Sequence, residues 1–343
     1  MKFHINPDLD IPKYRQVLSE IEDMIMDGRL KKGTHLPSMT EIATDTGMSK
    51  ETVKRALVAL RDKGYISSCP GKGYYVSKDA GEIPQQPHIL LILGRLDIFK
   101  QVLVDSFTVA LMGKAEVKIL LHNGDVDLLE TSLEQHLDTY DYYVISPHFD
   151  LDDQTQHRVA KILGRVPNRK LILLDHVNRF MSGHFGAVYQ DFDNDVAVGL
   201  GEALEELKTV RRLNAVVLPT SRYGGCALET LKTFCCDNSI PLRIMDTFPE
   251  NVERGEVFLL FSGRLSNELA KIDLILKDNN MQIGKDVGLI SYNDVPLNSV
   301  VMGGLTTIST DFVKMGKLAA DMILDGKMSK IKNDFKMIRR STF

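Results

Sequence analysis

Two hydrophobic periods divide this chain. Up to about residue 76 the apolar positions are spaced for short amphipathic helices. Val53, Ala56, Leu57 and Leu60 stand at i, i+3, i+4 and i+7, which predicts one buried helical face over about 50–63. Ser49 precedes that face as an N-cap, and Gly64 follows as a stop. Upstream, Ser38 and Glu41 have the spacing of a capping box, in which hydroxyl and carboxylate each satisfy an orphan backbone N–H. They predict a short helix ended by Gly47. Residues 65–67 and 74–76 read as two strands of a hairpin around Pro70-Gly71-Lys72-Gly73. The ten residues 78–87, KDAGEIPQQP, are a polar, proline-containing break and predict a linker.

Beyond the break the pattern changes to short continuous apolar runs separated by helical stretches. Strands are expected over 88–93, 117–121, 142–146, 170–174, 187–188, 215–218, 257–261 and 287–291. The helices between them are expected over 99–112, 128–137, 154–163, 194–207, 227–236 and 265–277, with a last one over 312–324. Buried strands alternating with helices indicate doubly wound parallel sheets, an α/β class. There are too many strands for one ordinary sheet, so two lobes with a cleft at the strand ends are expected. The domains are then 1–77, the linker 78–87 and a body over 88–343. Its first lobe covers about 88–188 plus a C-terminal return, and its second about 189–305.

Charge is distributed unevenly over these parts. The whole chain carries −4, yet the segment from Lys50 to Lys78 carries seven Lys/Arg against Glu51 and Asp62. Two helices joined by a tight turn and followed by a basic hairpin make a winged helix-turn-helix, whose second helix enters the major groove N-terminus first. A basic module on an acidic body is the electrostatic footprint of a DNA-binding protein. A solvated helical face beside an ordinary hairpin is the bland alternative.

The remaining composition mainly excludes. At 343 residues and 43% hydrophobic content, the chain has enough apolar material for two or three cored domains. It has no run of 18 apolar residues, and MKFHINPDLD lacks a signal-peptide stretch, so a cytoplasmic protein is expected. The four cysteines, at 69, 226, 235 and 236, include no CxxC and read as free thiols. No P-loop, G-x-G-x-x-G, H-E-x-x-H or G-x-S-x-G occurs, so no enzyme, cofactor or metal site is expected. His122, His136 and His148 lack metal-ligand spacing.

The N-terminal run resembles the GntR family of bacterial transcription regulators over roughly residues 10–77. The matching positions are Tyr14 and Gln16, Gly28-Arg29-Leu30, Gly33, Leu36-Pro37-Ser38, Glu41-Ile42-Ala43, Gly47-Met48-Ser49-Lys50, Thr52-Val53-Lys54-Arg55-Ala56-Leu57, Gly64-Tyr65-Ile66 and Gly71-Lys72-Gly73. The resemblance implies DNA contact by Ser38, Thr40, Ser49, Lys50, Glu51, Thr52, Lys54, Arg55, Gly71 and Lys72. Family members usually carry Arg at the positions of Lys50 and Lys54. Lysine contacts phosphate but lacks the planar fork that arginine offers guanine.

The body is similar to the effector domain of LacI/GalR regulators over about 88–325. The similarity is carried by Ile283 to Asp294, by Leu305-Thr306-Thr307-Ile308, by Asp311 with Met315-Gly316 and Ala319-Ala320, and by Arg222 with Gly225. A GntR-type head on a LacI-type body is the arrangement of arabinose-responsive repressors. It implies a homodimer on operator DNA, with a small effector in the cleft. Phe99, His148, His176, Tyr189, Asp191, Arg222 and Asn293 are the candidate effector residues, and Phe149 and Phe192 could add apolar faces. Asn293 stands where the family has a carboxylate, and Ser262-Gly263-Arg264 replaces its Asn-Asp. A monosaccharide, either a pentose or a 6-deoxyhexose, is the expected ligand. A purine, a phosphosugar, or a body serving only dimerisation are the alternatives.

Overall fold

In the computed structural model, the described residues are 3, 5, 12–78, 86–137, 139–217, 224–261 and 265–343, with backbone only for 224–226 and 265–268. The chain forms two compact units, a head built on Met1–Pro87 and an α/β body.

The head begins with helix α1 (Lys13–Met26), which no sequence signal above specifies. Helix α2 (Met39–Thr46) starts at Ser38, and both halves of the capping box form. Gly47 ends it in the left-handed conformation, at φ 65°. Helix α3 (Lys50–Asp62) is capped by Ser49, whose hydroxyl accepts the Thr52 N–H. Its buried face is Val53, Ala56, Leu57 and Leu60, as the spacing predicts. Strands β1 (Ile66–Cys69) and β2 (Gly73–Val76) pair antiparallel as the wing. The Gly33 and Leu36 N–H groups donate to β2 carbonyls, so the segment before α2 extends the wing by a third edge. Ile21, Ile25, Ile42, Leu57, Leu60 and Ile66 close one core among these elements.

The body holds two six-stranded sheets. The first runs β13-β7-β6-β5-β3-β4, built from β3 (His88–Leu93), β4 (Glu116–Leu121), β5 (Tyr142–Ile145), β6 (Leu171–Asp175), β7 (Gly186–Tyr189) and the late β13 (Lys330–Lys332). The second runs β14-β12-β11-β10-β8-β9. Its strands are β8 (Arg212–Val217), β9 (Leu242–Met245), β10 (Glu256–Phe261), β11 (Gly288–Tyr292), β12 (Thr306–Thr310) and β14 (Phe335–Ile338). Strand β14 is antiparallel to β12, whereas β8, β9, β10, β11 and β12 are parallel. Continuous burial along β3, β6 and β10 follows from helices covering both sheet faces.

Helices α4 (Ile98–Leu111), α5 (Val126–His136) and α6 (Asp153–Leu163) accompany the first sheet, and α9 (Gly224–Asp237) and α10 (Leu265–Asp278) accompany the second. The expected single helix over 194–207 is instead two, α7 (Asp195–Gly201) and α8 (Leu204–Leu207). Gly199 and Gly201 weaken the run, and Glu202 is drawn to the last strand. Its carboxylate accepts the Met337 N–H and its carbonyl accepts Arg339.

The chain passes between the sheets three times: from β7 to α7, from β12 to α11 (Phe312–Asp325), and from β13 to β14. Helix α11 packs closely on α4. The Ser106 hydroxyl donates to the Val313 carbonyl at 2.6 Å, and a Cβ on Gly316 would stand 2.6 Å from the Leu103 carbonyl oxygen. Backbone cannot yield there as a flexible side chain can. Gly316→Ala is therefore expected to destabilise the body by about 1–3 kcal/mol, read as a lower urea midpoint at unchanged slope.

Candidate DNA interface and strand-end site

In the head, the N-terminal turn of α3 and the wing tip carry exposed cations. Lys50 and Lys54 are exposed, and Lys54 makes only a loose 3.9 Å pair with Glu51 on a solvent face. Ser38 and Ser49 spend an acceptor lone pair on helix caps, and the Ser49 hydroxyl lies 2.8 Å from that of Thr52. Thr40 is exposed, and its carbonyl accepts the Thr44 hydroxyl. Arg55 is exposed along α3, but its guanidinium lies over the Tyr14 ring, 4.1 Å from the centroid. That contact ties α1 to α3 and restrains Arg55 more than the two lysines. Gly71 and Gly73 take φ of 77° and 86°, which lets the wing turn tightly and leaves Lys72 exposed at its tip. The arrangement presents a helix N-terminus and cations, as binding to a phosphate backbone requires.

In the body, polar side chains meet at the carboxyl ends of β5, β6 and β7 with Lys100 from α4, and Asn293 follows β11 in the second sheet. The centre is Asp175, buried and left-handed at φ 71°. Lys100, in the first turn of α4, reaches its carboxylate at 2.5 Å, and His148 Nδ1 stands 3.6 Å away. Gln190 Nε2 donates to the other carboxylate oxygen. Burial alone would raise the Asp175 carboxyl, but Lys100 and His148 outweigh it and hold it well below the usual range. Beside it, burial pushes His176 down to about 4 against the pull of Asp175, so this imidazole is neutral at pH 7. His122 is buried and structural. Its Nδ1 accepts the Gly124 N–H, its Nε2 therefore donates to the Ser146 carbonyl, and its ring stacks on Phe149.

The crossovers carry a second cluster. Lys332 pairs with Asp191 at 2.7 Å and lies 3.7 Å from Asp195, which is 1% exposed. Asp195 also accepts the Asp191 N–H. The Asn333 N–H donates to the Tyr189 carbonyl, joining the first and third crossovers.

The structure places the sequence-derived candidates differently from one another. His148, His176, Tyr189 and Asn293 are half-buried at strand ends. Asp191 is there too, but its carboxylate is committed to Lys332 and Asn194. Phe99 corrects the expectation of an aromatic ligand face: it is 5% exposed and stacks on Phe312, within the α4–α11 packing. Phe149, held under His122, is fully buried and corrects it likewise, whereas Phe192 lies 6.1 Å from the His176 ring. Arg222, most of the 78–87 linker and Ser262-Gly263-Arg264 lie outside the described residues. Lys100, Asp175, Lys332 and Asp195 were not singled out in the sequence, whereas Gln190 stood beside Tyr189 as a candidate. The available signal was Asp175-His176 directly after a predicted strand. Among the described residues, no group of three or more His, Cys, Asp or Glu could hold a metal, and no helix is long and apolar enough to cross a membrane.

The head is thus a winged helix-turn-helix module and the body a two-sheet α/β fold with polar strand ends. Residues 13–76 match the family described as bacterial regulatory proteins, gntR family, and form a GntR-type domain. Over 102 residues the chain is 29% identical to the HTH-type transcriptional repressor YtrA of Bacillus subtilis (strain 168), covering 30% of this chain and 76% of that one. It is 35% identical over 68 residues to the arabinose metabolism transcriptional repressor of Geobacillus stearothermophilus, covering 20% of this chain and 19% of that one. Other curated relatives are also matched over only 15% to 31% of their length. The body has the fold of the lac repressor, seen in a dimer bound to operator and the anti-inducer ONPF. The TM-score is 0.59 at 17% identity, over 75% of this chain and 94% of that one.

Proposed function

We propose that this chain is a DNA-binding transcriptional repressor whose operator affinity is set by a small uncharged polyol bound at the strand ends of the body. The head would act as one half of a homodimer. Lys50 and Lys54 would enter the major groove, and Gly71 with Lys72 would lie against the adjoining backbone. The arabinose metabolism repressor, matched over 68 residues, supports a pentose, with a 6-deoxyhexose as the alternative.

The observation that carries the ligand class is the pairing of Lys100 and Lys332 among the described residues, beside a further carboxylate, Asp195, that disfavours an anion. Lys100 is neutralised by Asp175, Lys332 by Asp191, and His176 is uncharged at pH 7. Meanwhile Ser146 Oγ, Gln190 Oε1 and Asn293 Oδ1 have no hydrogen-bond partner among the described residues. The Gln190 amide orientation is dictated by its neighbour, since a carboxylate only accepts and Nε2 must face Asp175. Sugar hydroxyls supply donors to such oxygens, whereas a phosphate brings only acceptors.

The reading is tested by anisotropy titration of the full chain against DNA from upstream of its own operon. Lys50→Ala combined with Lys54→Ala is expected to weaken binding about tenfold or more and, with two lysines lost from each half of the dimer, to reduce the salt slope by about four. An unchanged slope would remove these lysines from the interface. Thermal shift with L-arabinose, D-xylose, L-fucose and ribose 5-phosphate tests the ligand class, because a ligand raises the melting temperature in proportion to RT ln(1 + [L]/Kd). Stabilisation by the phosphosugar alone would defeat the uncharged-polyol reading.

A further inference from the structure

Asn293 and Asp294 follow β11, and the two side chains are used in opposite ways. The Asp294 carboxylate is saturated. Arg340 grips it with both terminal nitrogens, Nη1 to Oδ1 at 2.8 Å and Nη2 to Oδ2 at 2.9 Å. The Thr307 hydroxyl and the Asn298 amide also donate to Oδ1, at 3.0 and 3.2 Å. Four donors leave Asp294 little capacity for a ligand. Its backbone N–H goes to the Ser309 hydroxyl, fixing the loop to β12. Asn293 is held in the left-handed region at φ 72°, its N–H tied to the Ile308 carbonyl, while Oδ1 has no partner among the described residues.

Arg340 is itself fixed on several sides. Its Nη1 also donates to the Leu305 carbonyl at 2.7 Å, and its backbone N–H donates to the Thr306 hydroxyl. Two residues on, the Thr342 hydroxyl donates to the Leu289 carbonyl and accepts the Thr306 N–H. The segment after β14 is therefore stitched to both β11 and β12. Its guanidinium reaches the carboxylate that anchors the Asn293 loop. A planar bidentate fork fixes direction as well as distance, which a lysine ammonium does not.

We propose that Arg340 is a positioning residue for the effector site: by clamping Asp294 it sets Asn293 in the left-handed conformation from which its side-chain oxygen meets the ligand. The proposal rests on the sugar-effector reading above. It assigns the segment after β14 a role in ligand affinity that neither sequence pattern nor family resemblance indicated.

The test uses the full chain and its Arg340→Lys, Arg340→Met and Asp294→Asn variants. Two measurements are made: calorimetric titration with the stabilising sugar among L-arabinose, D-xylose and L-fucose, and amide hydrogen exchange over residues 293–304 without sugar. Arg340→Met is expected to weaken sugar binding roughly tenfold, the scale of a lost charge-assisted hydrogen bond. Arg340→Lys should fall between it and the wild type. Exchange over 293–304 should rise while DNA affinity without sugar stays unchanged, and millimolar guanidinium should restore part of the affinity of Arg340→Met. Unchanged exchange overturns the clamp. A loosened loop with unchanged sugar affinity overturns its link to the ligand. If none of the sugars binds the wild type, the sugar reading falls, and the exchange comparison still decides whether Arg340 holds the Asn293 loop.

Discussion

Lys100→Met is expected to destabilise the α/β body by about 3–5 kcal/mol, the scale of breaking a buried ion pair by removing one partner. The Lys100 side chain is 12% exposed and that of Asp175 2%, so neither charge has water to fall back on. Without the ammonium, Asp175 keeps His148 at 3.6 Å and the Gln190 amide, but no full positive charge at contact distance. Its carboxyl would then rise from the depressed range toward and above an ordinary value, because burial would dominate. Urea denaturation at neutral pH measures the loss, and the Lys100→Met/Asp175→Asn double variant checks the cause. Removing both charges should cost clearly less than the two single losses added together. A single-variant loss below about 1 kcal/mol, or strict additivity, would show that the pair is not a coupled buried unit. Because Asp175 sits at the junction of α4, β6 and the first crossover, a destabilised variant is also expected to lose its response to effector before it loses DNA binding.

The parts of this molecule legible in the sequence are those specified locally. The α2 capping box, the Ser49 cap, the Gly47 stop and the α3 apolar face each depend on residues within about seven positions. All formed as read. The long strands β3, β6 and β10 were legible because burial on both faces leaves a continuous apolar run. Strands β13 and β14 were not. They are three and four residues long, exposed on alternate positions, and rich in lysine, so nothing in KIK or FKMI separates them from a loop. What makes them strands is pairing with β7 and β12, more than a hundred residues away for the former. The same distance hid most of the body's site. Lys100 and Asp175 are separated by 75 positions, and Asp294 and Arg340 by 46. Sequence periodicity reports which face is buried, and it is silent on which charge meets which across a fold. Asn293 could be named because resemblance located the loop. Arg340, which anchors that loop, could not.

Asp195→Asn is expected to gain stability relative to the wild type as pH rises from about 4 to about 7, because the Asp195 contribution to the wild type falls over that window. Burial pushes this carboxyl up to about 6. Lys332 is near, but it is engaged 2.7 Å away by Asp191 and stands 3.7 Å from Asp195. Asp191 behaves oppositely: its partial burial is outweighed by Lys332 and Asn194, which lower it. In the unfolded chain an aspartate titrates near about 3.9, so the folded protein binds the Asp195 proton more tightly. The resulting stabilisation is fully present below about pH 3.9 and is lost as pH rises through about 6. A proton held that much more tightly in the folded state corresponds to about 2–3 kcal/mol. His176, held down at about 4 against about 6.5 in the unfolded chain, contributes the other way across the same window, so the wild-type curve alone mixes the two. The difference between wild type and Asp195→Asn cancels His176 and the other groups that are not coupled to Asp195. Urea midpoints at about pH 4.5, 6 and 7.5 should show the variant gaining on the wild type as pH rises. Parallel curves would mean that Asp195 titrates as an ordinary surface carboxylate. Since Asp195, Asp191 and Lys332 join the first and third passages between the sheets, the same titration is expected to shift effector affinity. Low pH should favour the arrangement described here, because it relieves a crossover carboxylate that burial leaves poorly compensated.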